Sequence, residues 1–103
     1  MSVVVKTLID DICRIMIAGE KSRANIYTAV RQCEAKGKFD RGELLQLTEA
    51  GIPVVAILSR ILRTTQQDVS RMAAAGEISY QDLICAMAIF AQDLMQRSQE
   101  RRY

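Results

Sequence analysis

Four glycines, Gly19, Gly37, Gly51 and Gly76, cut this chain into short runs, and the runs between them carry apolar residues at helical spacing. Apolar side chains that return every three to four positions line one face of a helix, whereas strands require alternation. The chain has no alternating stretch of useful length, and Val3-Val4-Val5 is short enough to join the first helix. The pattern therefore predicts an all-α fold: a compact bundle of five or six helices, the middle ones short and joined by glycine turns.

The first helix is expected from about Val3 to Ile17, with Val4, Leu8, Ile12 and Ile15 as its stripe and Val5, Ile9 and Met16 widening it. A second is expected from about Ser22 to Ala35, facing inward with Ile26, Ala29, Val30 and Cys33. Gly37 is its stop, because glycine enters the left-handed region at little cost. Asp40 opens the third helix as an N-cap, with Glu43 where a capping-box partner stands, and Gly51 stops it. Pro53 suits the first turn of the fourth, where a missing N–H costs nothing. Val54, Ile57, Leu58 and Ile61 make that helix the candidate for deepest burial. Thr64 or Thr65 caps the fifth, with Val69, Met72 and Ala73 inward and Gly76 as stop. Ser79 and Asp82 cap the sixth, whose stripe is Leu83, Ala86, Met87, Phe90 and Leu94. Arg97, Arg101 and Arg102 place positive charge at the negative end of its dipole.

With 103 residues the chain supports one domain, and its half-apolar, quarter-charged composition with one proline argues for a folded globule. A net charge of +2 is too mild to point to nucleic acid or an anionic membrane. The apolar N-terminus is broken by Lys6, Asp10, Asp11 and Arg14, so neither a secretory signal nor a membrane span is read there, and synthesis in the cytoplasm is expected.

The sequence contains no histidine, which removes the commonest general base and the commonest metal ligand together. Cys13, Cys33 and Cys85 lie singly in apolar patterns and are expected to be buried, reduced thiols. Asp10-Asp11, Asp40-Glu43 and Glu49 are the carboxylate groupings, and capping explains the Asp40-Glu43 spacing better than acid–base work. No catalytic, cofactor or metal residue is assigned, and no enzymatic activity is expected.

The stretch 36–89 carries a longer pattern. It runs Gly37-Lys38, Glu43-Leu44 with Gln46-Leu47, Glu49-Ala50-Gly51-Ile52-Pro53, Leu58, Leu62, Val69, Met72, Gly76 and Ile78-Ser79. This order and spacing resembles a segment of phage tail tape measure proteins. One departure is Arg63-Thr64, where the family pattern has a glycine between the fourth and fifth helices. The resemblance implies a structural part in tail assembly and tail-length determination, within the virion tail and as part of a longer chain. A wholly helical chain of this length would extend only about 150 Å at 1.5 Å per residue. The resemblance further implies homo-oligomerisation and contacts with tail assembly chaperones and the tail tube protein.

The alternative is a small helical DNA-binding or regulatory protein of phage or prophage origin, since Thr65 to Ser79 superficially matches a helix-turn-helix. With Gly76 as the turn glycine, Met72 and Asp82 fall where a small and an aliphatic residue belong, and the would-be reading helix is largely apolar. No specific nucleic-acid binding is expected. The last helix carries more apolar residues than one stripe uses, and Ile84, Ile89 and Met95 are its candidate self-association residues.

Overall fold

The computed structural model describes residues 1–100, and the side chains of 1–98. It contains α1 (Val3–Met16), α2 (Glu20–Lys36), β1 (Lys38–Phe39), α3 (Arg41–Glu49), α4 (Val54–Leu62), α5 (Gln66–Ala74), β2 (Ile78–Ser79) and α6 (Tyr80–Glu100). The bundle of six helices agrees with the sequence pattern. Arg101 and Arg102, assigned above to the last helix's end, lie outside the described residues.

The helices pack in two linked groups. α1 lies mainly along α6, α2 lies mainly on α3, and α4 touches α3, α5 and α6. One core runs through both groups, with Ile9 and Ile12 of α1, Ile26 of α2, Leu47 of α3, Leu58 of α4 and Leu83 of α6 wholly or almost wholly buried. The inward face of α1 differs from the expected stripe by one position. Val5, Ile9, Ile12 and Cys13 are buried, while Val4 is 78% exposed. Two apolar rows one residue apart lie about 100° apart on a helix, and the position of α6 decides which of them faces inward.

A second difference is the strand pair. β1 and β2 are antiparallel, with Lys38 opposite Ser79 and Phe39 opposite Ile78. Two residues carry no readable periodicity, so this ladder is a product of tertiary approach. Phe39 and Ile78 are both fully buried, and the Tyr80 N–H donates to the Gly37 carbonyl at 3.2 Å beside them.

The side-chain caps have definite geometry. The Asp40 carboxylate accepts from the N–H groups of Gly42 and Glu43, and the Thr65 hydroxyl accepts from the Asp68 N–H. Ser79 and Asp82 cap reciprocally: each side chain accepts the other's backbone N–H at 3.1 Å. Pro53 sits at the N-cap of α4, one residue earlier than a first-turn position.

The corner between α4 and α5 is made without glycine. Arg63 adopts φ 55° and ψ 49°, its N–H donates to the Ser59 carbonyl, and the Ser59 hydroxyl donates to the Thr64 carbonyl. A left-handed residue with a Cβ is strained, which glycine relieves. Arg63→Gly is therefore expected to raise stability by about 0.5–1 kcal/mol, net of the added freedom of the unfolded chain. A urea titration checks this; a lower midpoint would show that the Arg63 side chain contributes more than its backbone costs.

Candidate interaction surface

α6 presents its three singled-out residues on two different faces. Ile84 and Met95 lie about 20° apart around the helix axis, whereas Ile89 is about 140° from Ile84, at roughly 100° per residue. Ile84 and Ile89 are partly buried and pack against the core, while Met95 is 42% exposed. Ile89 shares a groove of about 240 Å³ with Ile57, Arg60 and Ile61 of α4. An ion pair between Arg60 and Asp93, at 3.6 Å, joins the same two helices. The three residues thus do not form one patch. Among the described residues the most exposed large apolar side chains are elsewhere: Val3 and Val4 at 78% and Ile17 at 89%.

The corner residues collect charge at the opposite end of α2. The Lys36 ammonium sits 2.8 Å from Glu43 Oε1 and also pairs with Asp40. Glu43 is only 2% exposed, so its role differs from the expected capping partner: it turns inward toward Lys36. Burial, reinforced by the neighbouring Asp40, raises the Glu43 pKa above the ordinary glutamate value. Hydrogen bonding to Glu43 and then to Lys36 holds Asp40 well below the usual carboxylate range.

The two shifts act on stability with opposite sign. The folded state holds a proton on Glu43 more tightly than the unfolded chain does. Stability from this group is therefore present below the unfolded glutamate pKa, about 4.3, and declines as pH rises through the folded value. Asp40 contributes stability above the unfolded aspartate pKa, about 3.9, which is lost as pH falls through the depressed folded value. Glu43→Gln is expected to remove the decline above about pH 4.3 while keeping the acid-side loss. Urea midpoints measured from pH 3 to 8 check this, and parallel profiles for the two proteins would refute it.

The cysteines divide two to one. Cys13 and Cys33 are buried, and burial pushes the Cys33 thiol up to about 12, with Glu43 adding to the shift. Cys85 is exposed, against the expectation of burial. It lies on the outward side of α6, where helical spacing to Leu83 and Met87 turns it away from the core. Among the described residues no three His, Cys, Asp or Glu side chains are grouped so as to hold a metal ion. No described helix is long and apolar enough to cross a membrane.

Sequence reasoning missed a polar cluster between α1 and α2. Asp10 accepts from the Tyr27 hydroxyl at 2.6 Å and from Arg23 at 2.8 Å, and the Arg23 and Arg31 guanidinium groups lie 5.9 and 5.8 Å from the Tyr27 ring centre. Its members are thirteen or more positions from Asp10, beyond any local pairing rule, so only the packing of the two helices reveals it. Comparison with protein families, curated sequences and solved structures finds no match to this chain.

Proposed function

We propose that this chain is a non-enzymatic structural segment of a phage or prophage tail tape measure protein, acting in tail assembly as part of a longer filament. One observation supports the reading above others: the glycines and several apolar residues of the family-like pattern shape one continuous unit. Gly37, Gly51 and Gly76 all have positive φ at its corners. Leu44, Leu47, Ile52, Leu58, Val69 and Ile78 are buried within it. A pattern that carried chemistry would cluster polar side chains in a cleft; this one specifies turns and packing. In this reading the partners are further copies of the chain, tail assembly chaperones and the tail tube protein, and the location is the virion tail.

The DNA-binding alternative has less support. From Tyr80 to Gln96, α6 contains no lysine or arginine but includes Asp82 and Asp93. A stretch of that length without cations has no means of neutralising the phosphates beside the groove it would enter. The discriminating experiment is peptide mass spectrometry on purified tails and on the DNA-bound fraction of the source cells. Peptides of this chain in the tails are expected. Their absence from tails that contain the other tail proteins would overturn the proposal, and enrichment on DNA would favour the alternative.

A further inference from the structure

The corner between α1 and α2 lacks both devices used at the other corners. Its left-handed residue is Ile17, at φ 55° and ψ 46°; Gly37, Gly51 and Gly76 serve at three other corners, and Arg63 at the fourth is followed by the Thr65 cap. A β-branched residue is a poor occupant of that region, and this one is 89% exposed, so no burial compensates. The following helix begins at Gly19 with no side-chain cap, whereas α3, α5 and α6 begin with Asp40, Thr65 and Ser79. A continuous helix through Ile17, Ala18 and Gly19 would remove the strain and satisfy the uncapped N–H groups together.

The sequence keeps the phase that such a helix needs. Val5, Ile9, Ile12, Met16, Gly19, Arg23, Ile26, Val30 and Cys33 follow one another at alternating spacings of four and three, directly through the corner. That is a single heptad seam, interrupted only at Gly19 and Arg23. Two helices joined by a turn have no need to share a register.

Packing adds the third part. α1 lies mainly on α6 and α2 mainly on α3, so the backbones of the two hairpin helices approach each other closely at few points. The polar links that hold the hairpin are the Asp10 contacts to Tyr27 and Arg23, the Tyr27 hydroxyl donating to the Lys6 carbonyl at 3.4 Å, and the Met1 amine with Glu34 at 3.2 Å. The ion pair of Asp10 with Arg23 is exposed and individually weak.

We propose that α1 is an exchangeable arm: the corner at Ile17–Gly19 opens into one helix spanning Val3–Lys36, and α1 then packs on α6 of a second copy of this chain. The occupant of the vacated α6 face is the second copy's α1, because it alone reproduces the contacts that α1 makes in the closed form. The opened helix is about 50 Å long at 1.5 Å per residue. Each copy gives and receives one arm, so the exchange closes as a two-fold dimer. Strained short hinges are the usual route to such exchange. This association differs from one through Ile84, Ile89 and Met95, since it uses the existing core contacts of α1.

The test is refolding of the full chain from denaturant at high protein concentration, then dilution and sedimentation velocity. The expected product is a dimer that dissociates slowly after dilution, because separation requires unpacking α1. Asp10→Ala removes the Tyr27 and Arg23 contacts from the closed and the exchanged form alike, so it is expected to leave the dimer fraction unchanged. Gly19→Pro fits the closed corner, where φ is −71° and a Cβ meets open space, but cannot lie within a continuous helix. It is expected to give monomer alone. Ile17→Gly relieves the closed corner and weakens the open helix, and serves should Gly19→Pro fold poorly. It is expected to lower the dimer association constant about a hundredfold, roughly tenfold for each of two corners. Met95→Glu leaves the exchange unchanged. Monomer at every concentration for the parent chain would overturn the proposal. So would a dimer in folded Gly19→Pro, or an association constant in Ile17→Gly equal to that of the parent chain.

Discussion

Phe39→Ala is expected to lower the unfolding free energy by about 3–5 kcal/mol, the usual cost of emptying a fully buried aromatic site. Phe39 is wholly inaccessible to solvent and belongs to one of only two strands among the described residues. Its partner across the ladder, Ile78, is equally buried, so the neighbouring wall is itself fixed by backbone pairing. A void there has little freedom to collapse, which places the expected loss toward the upper part of the range. A domain of ordinary stability has about 5–15 kcal/mol in total, so the variant would stand near its limit. A urea titration with unchanged slope and a strongly lowered midpoint is the expected result. A loss below about 1 kcal/mol would mean that the ladder yields and the site refills.

The second large effect is at the corner between α3 and α4. Gly51 has φ +97°, and a Cβ built there would lie 3.0 Å from the terminal methyl of Met16. The methyl belongs to a flexible side chain and can move, so the backbone carries most of the cost. Gly51→Ala is expected to destabilise by about 1–2 kcal/mol, because a left-handed conformation disfavours any residue with a Cβ. Gly37→Ala, where φ is +76° and the Cβ would meet nothing within 4 Å, carries a left-handed backbone cost alone, so the difference between the two variants reads the Met16 contact and the larger φ of Gly51. The Gly51 variant should melt lower than the Gly37 variant. Equal melting of Gly51→Ala and the parent would remove the strain argument.

These two sites differ in how far they could be read from sequence. Gly51 announces itself, because it ends an apolar run just before Pro53, and such glycines have a local reason to exist. The same holds for Gly37, Gly76 and the Ser79–Asp82 cap. Phe39 gives no such signal: a lone aromatic between Lys38 and Asp40 reads as loop until Ile78 is brought beside it. The stripe on α1 was legible as a helix but not in its phase, since neighbouring apolar rows compete and the partner α6 chooses between them. The left-handed Ile17 and Arg63 were illegible for a further reason, in that neither residue type prefers that conformation. Glu43 was legible as a capping residue, and its burial against Lys36 was not, because burial depends on where α2 lies. Of the candidate surface, the sequence supplied Ile84, Ile89 and Met95 as excess apolar residues. Their division between two faces follows from helical rotation combined with the position of α4.

The pairing of Lys38 with Ser79 has a consequence for how this chain reaches its native state. It joins points about forty residues apart, with α3, α4 and α5 strung between them. Closing a loop of that length in an unstructured chain loses entropy that two rungs of ladder repay poorly. The three intervening helices shorten the effective tether once they have docked, so the clasp belongs late in folding and seals a unit that is already assembled. A segment whose two ends meet in this way enters and leaves at nearly the same point in space. It can sit between two stretches of a longer polypeptide and leave their separation almost unaltered.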